Sequence, residues 1–196
     1  MKTIIAFDFD GTLTKKDSFL EFIRFSKGSL FLYRNSFYFI FIWILFKIKI
    51  IKRNRSKEII FSYCFKNTPQ DKFNKSCNLF RQKLETIIRK GVSEKIEEYH
   101  NLNYSICIVS ASIFNWIEPW AKENKIDTII ATEIEIKNNV LTGKFKTPNC
   151  VGIEKVNRLK KIFPNRDSYS LISFGDSSGD KELLNFSDQK NWNYFK

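Results

Sequence analysis

Histidine is almost missing from this sequence: His100 is the only one in 196 residues. Chemistry that needs a histidine base together with histidine metal ligands therefore has too few residues to work with. His100 itself, in the polar stretch 97–103, reads as an exposed residue at a helix end. The four cysteines, Cys64, Cys77, Cys107 and Cys150, form no CxxC pair and have no histidine beside them. That spacing argues against zinc and against a disulfide framework, and it predicts reduced thiols in a cytoplasmic protein. The amino terminus lacks the uninterrupted apolar core of a secretory signal, because its short apolar run ends in Asp8 and Asp10, so export is not expected. Internal repeats and low-complexity linkers are absent as well.

What is present is apolar and basic. Hydrophobic residues make up 43% and aromatics 16%, which excludes general disorder. The length suits one domain with a substantial core, or a core carrying a small inserted domain. The formal charge of +12 is compatible with nucleic acid, acidic lipid, an anionic small molecule or simply a solvated basic surface, and it does not choose among them.

Residues 3–9, TIIAFDF, are an apolar run ending in acidic residues and followed by Gly11 and Thr12, the pattern of a buried strand entering a loop. Similar runs recur at 104–109, 127–131 and 170–174, with helical stretches at 113–124 and 152–163. This alternation predicts an α/β fold, a Rossmann-like parallel sheet with helices on both faces. Residues 133–136 and 140–145 alternate in polarity on either side of a turn containing Asn138-Asn139, which predicts a β-hairpin. From about residue 17 to residue 103 the periodic segments look helical. The expected plan is a core of residues 1–16 and 104–196 interrupted by an all-helical insertion of residues 17–103.

Inside the insertion, residues 37–46, FYFIFIWILF, carry no charge. The run falls well short of the roughly twenty apolar residues that span a bilayer. It is expected to be a helix buried within the insertion. The competing reading is a helix that docks on a membrane surface or a partner, because Lys47, Lys49, Lys52, Arg53, Arg55 and Lys57 follow it closely.

Four places carry chemistry. Asp8-Phe9-Asp10-Gly11-Thr12-Leu13-Thr14 closes the first strand, and ligands of open α/β sheets bind beyond the carboxyl ends of strands. Ser110, followed by Ala111 and Ser112, ends a later strand before a helix; a hydroxyl and backbone N–H groups there suit a phosphate oxygen, and equally a helix cap. Lys155 lies just inside a predicted helix in CVGIEKV. Gly175-Asp176-Ser177-Ser178-Gly179-Asp180 follows the strand SLISF, and two carboxylates on such a loop suit a hard cation.

In that order, DFDGTLT, Ser110, Lys155 and GDSSGD resemble the four signature motifs of the haloacid dehalogenase superfamily. The helical insertion between the first two motifs resembles the subgroup containing phosphoserine phosphatase. The resemblance implies a magnesium-dependent phosphatase acting on a small phosphorylated metabolite, with the insertion as a cap. It implies Asp8 as the nucleophile that becomes an aspartyl phosphate, and Asp10 as general acid and base. Asp10 also separates phosphoryl chemistry from dehalogenation, whose enzymes lack this second aspartate. Mg²⁺ would be held by the Asp8 carboxylate, the Asp10 backbone carbonyl and Asp176. Ser110, Ala111 and Lys155 would bind the phosphoryl oxygens, and Asp180 would orient Lys155 or a water of the metal's shell. Asp17, nine residues after Asp8, falls where phosphoserine phosphatases carry an acidic residue for the substrate amino group, but as an N-cap it would need no substrate. Arg53 is a candidate for a substrate carboxylate. Phosphoserine, an amino-alcohol phosphate and a sugar-linked phosphate all remain admissible substrates. No nucleic acid is expected, peripheral membrane contact remains open, and the protein is expected to be a monomer or homodimer. The rival function is a membrane- or partner-associated module docking through residues 37–57.

Overall fold

Which way successive strand residues point decides the layers. The computed structural model describes residues 2–196, apart from the side chains of Arg53 and Asn54. Strand β1 (Lys2–Phe7) runs parallel to β2 (Ser105–Ile113) on one side and to β6 (Tyr169–Gly175) on the other. With β3 (Thr128–Thr132) and β7 (Gln189–Trp192) they form a five-stranded sheet of order β3-β2-β1-β6-β7, every neighbouring pair parallel. Ile5, Phe7, Ile106 and Ile108 pack into one apolar cluster and Ile4, Ala6, Cys107, Val109 and Leu171 into another. Both faces are therefore covered, which is why β1 reads as a continuous apolar run.

Helices α8 (Ile153–Ile162) and α9 (Lys181–Phe186) supply Leu159 and Leu183 to the second cluster. The larger cluster takes in α6 (Val92–Asn101) and α7 (Phe114–Glu123) through Val92, Ile96, Trp116 and Trp120. It continues into the helices that precede α6 in the chain, α1 (Ser18–Lys27), α4 (Arg53–Phe65) and α5 (Gln70–Glu85). There Phe22 stacks on Trp116 with centroids 4.7 Å apart and meets Phe80 edge-on at 5.2 Å. Burying one such ring contributes on the order of 1.5–3 kcal/mol, so this aromatic cluster ties the helical insertion to α7 in the layer over the sheet.

The hairpin forms as expected, with β4 (Ile134–Lys137) antiparallel to β5 (Val140–Phe145). Asn138 and Asn139 both take positive φ, 50° and 60°, as a two-residue hairpin turn of this hand requires. The hairpin grips the α4–α5 corner. Asn67 N–H donates to Leu141 O, Leu141 N–H to Thr68 O and Gln70 N–H to Asn139 O, each at 2.9 Å, while Phe145 N–H donates to Glu58 Oε2, also at 2.9 Å. Gly143 permits the approach, since a Cβ on it would stand 2.6 Å from Ser62 Oγ.

Three expectations change. Residues 37–46 do lie in a helix, α3 (Ser36–Lys47), but of its residues only Ile42 is buried. Phe37 is 86% exposed, and Phe41, Trp43 and Ile44 are exposed as well. Helix α3 pairs with the short α2 (Ser29–Arg34) and touches α4, so it reaches too few neighbours to cover its apolar surface. Strand β2 does not end at Val109 but runs through Ser110, Ala111 and Ser112 to Ile113, with a register shift against β3 between Ser110 and Ile113. His100 is half-buried rather than exposed, its Nε2 lying 3.3 Å from Asn124 O.

Candidate active site

The order of the sheet fixes where a ligand can sit. The chain builds β2 and β3 on one side of β1 and β6 and β7 on the other, so a crevice opens beyond the carboxyl ends of β1 and β6. Asp8 directly follows β1, and Asp176 directly follows β6. The Asp8 N–H donates to Phe174 O at 2.9 Å, which continues the ladder one residue further and anchors the loop.

Lys155 is the pivot of the site. Helix α8 delivers it to the crevice, where its Nζ donates to Asp8 Oδ1 at 2.5 Å and to Asp180 Oδ1 at 2.6 Å. All three residues are buried, Lys155 to within 1%. An ammonium taken that far from water must be paired, and here it has two carboxylates. Burial works to lower its pKa, but Asp8 and Asp180 outweigh it and hold the group above its ordinary value.

Asp180 is fixed by its second oxygen. Its Oδ2 accepts from Asp176 N–H, Ser177 N–H and Ser177 Oγ, forming a capping box at the start of a short 3₁₀ turn. Burial pushes this carboxyl up, but Lys155 and the Ser177 bonds prevail and hold it below the usual range. Asp8 behaves oppositely. Burial pushes it up to about 6, only partly countered by Lys155. Asp10 is pushed up to about 7, by burial first and by the neighbouring charge of Asp17 second, with Lys57 pulling the other way.

Asp8, Asp176 and Asp180 offer carboxylate oxygens within 4.8 Å of one another. Asp180 is nearly fully buried and spends Oδ2 on three donors, whereas Asp176 is only partly buried and lies nearer the opening of the crevice. Thr12 Oγ1 stands between Asp8 and Asp176, 3.3 Å from Asp8 Oδ2 and 3.4 Å from Asp176 Oδ1. The all-oxygen donor set suits a hard cation such as Mg²⁺. Gly11 keeps the loop close: its φ is +87°, and a Cβ there would stand 2.4 Å from Asp176 Oδ2. Lys196 Nζ pairs with the same Oδ2 at 2.9 Å, placing positive charge on the carboxylate that a cation would also seek.

The remaining expected residues fall as follows. Asp10 Oδ1 accepts from Ser18 N–H at 2.8 Å, at the first turn of α1. Asp17 Oδ1 accepts from Leu20 N–H at 3.0 Å, so Asp17 caps α1 and its side chain points to that task. Ser110 is buried on β2, two residues beyond the Phe7–Ile108 pairing, and its Oγ accepts from Ser112 N–H at 3.0 Å. Ala111 lies in the shifted stretch after it. The side chain of Arg53 lies outside the described residues.

Several participants carry no signal in the sequence of the kind the motifs give. Lys57, on α4, donates to Ala111 O at 2.9 Å and lies over the Phe19 ring at 5.0 Å. It looked like one of a row of surface cations. Arg89 Nε reaches Gly11 O at 3.2 Å and Thr14 O at 3.1 Å, pinning the first loop. Ser18 and Ser112 share a hydrogen bond of 2.6 Å between their hydroxyls, and Trp116 Nε1 donates to both. That buried network ties the start of α1 to the end of β2. Thr12 lies inside the first motif, but nothing in the sequence assigns it a role of its own.

The model of the haloacid dehalogenase-like hydrolase family matches residues 5–185. Protein CicA of Caulobacter vibrioides (strain NA1000 / CB15N) is 27% identical over 197 residues, covering 98% of this chain and 86% of the relative. A phosphoserine phosphatase of Lactococcus lactis subsp. lactis (strain IL1403) is 30% identical over 104 residues, 52% of this chain and 48% of that one. Among solved structures, a protein of unknown function from Bordetella pertussis Tohama I superposes with a TM-score of 0.83 at 14% identity, over 97% of this chain and 89% of that chain. A HAD family hydrolase from Salmonella enterica serovar Typhi gives 0.73 at 20% identity, and this chain spans 60% of its length. A phosphoserine phosphatase solved as a phospho-aspartyl intermediate analogue gives 0.64 at 21% identity, over 96% and 85% of the two chains. With a match over nearly its whole length, the chain belongs to the haloacid dehalogenase-like hydrolase family, and in fold it is similar to that family's phosphoserine phosphatases.

Proposed function

We propose that this hydrolase is a phosphatase that cleaves a small phosphomonoester through covalent phosphorylation of Asp8. The observation that carries the reading is the buried lysine held between Asp8 and Asp180 beside Asp176, at the crevice where the sheet order reverses. A carboxylate nucleophile is a recognised device for phosphoryl transfer, and such transfer needs positioning and charge neutralisation above all.

In this reading an Asp8 oxygen attacks phosphorus as the bond to the leaving oxygen breaks, and the phosphoryl group passes to Asp8. Asp10, whose raised pKa lets it keep a proton near neutrality, gives that proton to the departing alkoxide. It then takes a proton from the water whose oxygen attacks phosphorus, releasing phosphate and restoring Asp8. Lys155 neutralises phosphoryl oxygens and is kept on target by Asp180, while Ser110 and the backbone at Ala111 supply further donors. Mg²⁺, held by the Asp8 and Asp176 carboxylates and the Asp10 backbone carbonyl, would supply the positive charge that lets an anionic nucleophile approach an anionic substrate.

The insertion of residues 17–103 acts as the cap. Its α4 extends Lys57 to Ala111 beside the site, which gives the cap a cation with which to meet an anionic substrate. Its last helix, α6, packs on β2 and belongs to the layer over the sheet. The substrate is a small phosphorylated metabolite: phosphoserine, an amino-alcohol phosphate or a sugar-linked phosphate. The test is phosphate release from members of these three classes with Mg²⁺ present. Release from at least one, absent in Asp8→Asn, is expected; no release from any of them would overturn the reading.

A further inference from the structure

Between Glu21 and Glu58 every charged residue is a lysine or an arginine. The same stretch contains the α2–α3 pair, which exposes the large apolar residues Leu30, Tyr33, Phe37, Ile40, Phe41 and Trp43. Tyr33 is 77% exposed and Phe37 86%. Soluble monomers rarely leave so many neighbouring apolar side chains in water, and such a patch marks a surface that something covers. Neither feature is explained by the proposed chemistry.

The charge says what covers it. Lys27, Arg34, Lys47, Lys49 and Lys52 are exposed in the same stretch of chain, and Lys47 Nζ lies over the Trp43 ring at 5.2 Å. A second copy of this chain meeting the patch symmetrically would set these cations against their equivalents, which is unfavourable. An anionic bilayer offers the complement to both features: acyl chains for the apolar side chains and lipid phosphates for the cations. Trp43, Tyr33 and Tyr38 have the amphipathic rings that settle at headgroup depth. No helix of the described residues is long and apolar enough to cross a membrane, and α3, with 12 residues, is about 18 Å long. It can lie in the interface but not pass through.

We infer that the α2–α3 pair docks the protein on anionic lipid bilayers, with the apolar side chains in the acyl boundary and the flanking lysines and arginines on the headgroups. The test is co-flotation of the full chain with vesicles of phosphatidylcholine alone or mixed with phosphatidylglycerol. Flotation is expected with the anionic vesicles, weakening as salt screens the headgroups. Phe37→Ser with Phe41→Ser should abolish it. Lys47→Gln with Lys49→Gln should weaken it by roughly thirtyfold, from about a fivefold share per cation. Both double variants should melt at the wild-type temperature and, if the proposed activity holds, release phosphate from a soluble substrate at the wild-type rate. Wild-type protein that stays with the soluble fraction, flotation that survives the two serine substitutions, or flotation undiminished by the two glutamine substitutions would overturn the inference. So would sedimentation showing an oligomer that both serine substitutions dissolve, because the patch would then belong to a second copy.

Discussion

At the carboxyl ends of β1 and β6, charge is buried and matched atom by atom; on α2 and α3, apolar side chains stand in water with little beside them but cations. Lys155, buried to within 1%, finds a carboxylate oxygen on either side, whereas Phe37 is 86% exposed. Each region departs from the usual arrangement of polar groups outside and apolar groups inside. The first departure is stable only because every partner is in place. The second rests on one side only, where Phe31, Tyr38 and Phe39 pack on Tyr63 of α4, and its outer side implies an environment other than water. A site can thus be recognised by what it does against the hydrophobic rule, provided the compensation, or its lack, is accounted for.

The largest effect should come at the matched end. Asp8→Asn should keep the fold, since Lys155 retains Asp180, while turnover of any substrate found should fall by roughly 10⁴-fold or more. Turnover within about tenfold of wild type, a barrier change of only about 1.4 kcal/mol, would remove Asp8 as nucleophile. Next in size, chelation should abolish activity and added Mg²⁺ should restore it, with Ca²⁺ a poor substitute because its larger, looser shell misplaces the reacting groups. Full activity after exhaustive metal removal would contradict this.

Two aromatic substitutions sharpen the contrast on the stability side. Phe22→Ala, inside the cluster that joins α1 to Trp116, should cost about 3–5 kcal/mol in denaturant unfolding. Phe41→Asp, on the exposed helix, should change stability by no more than about 0.5 kcal/mol. A loss at Phe41 as large as that at Phe22 would show that the patch is covered in the isolated protein, and the two regions would then obey one rule.

The central strands were legible because their residues are buried on both faces and so read as unbroken apolar runs; β7 was not, because Gln189–Trp192 is a short, polar edge strand with a single neighbour. The first and last motifs were legible because loops that hold clustered carboxylates need glycine beside them, as Gly11 shows. Lys57 was not, since nothing local distinguishes it from Lys49 or Lys52; only the fold brings it to Ala111. The apolar run of α3 was located correctly and placed wrongly. Composition reports that a helix favours apolar surroundings, but it does not report whether this chain supplies them.

The grip of the β4–β5 hairpin on the α4–α5 corner has a kinematic consequence. A body joined to its frame only where the chain leaves β1 and enters β2 could swing about one axis, like a door. The three main-chain bonds from Asn67, Leu141 and Gln70 add an attachment away from that axis. A wide swing must therefore either carry the hairpin along or break all three together. Together with the Phe22–Trp116 stack and the bond from Lys57 to Ala111, they hold the insertion at several places at once, so a rigid-body swing would have to give up all of them together.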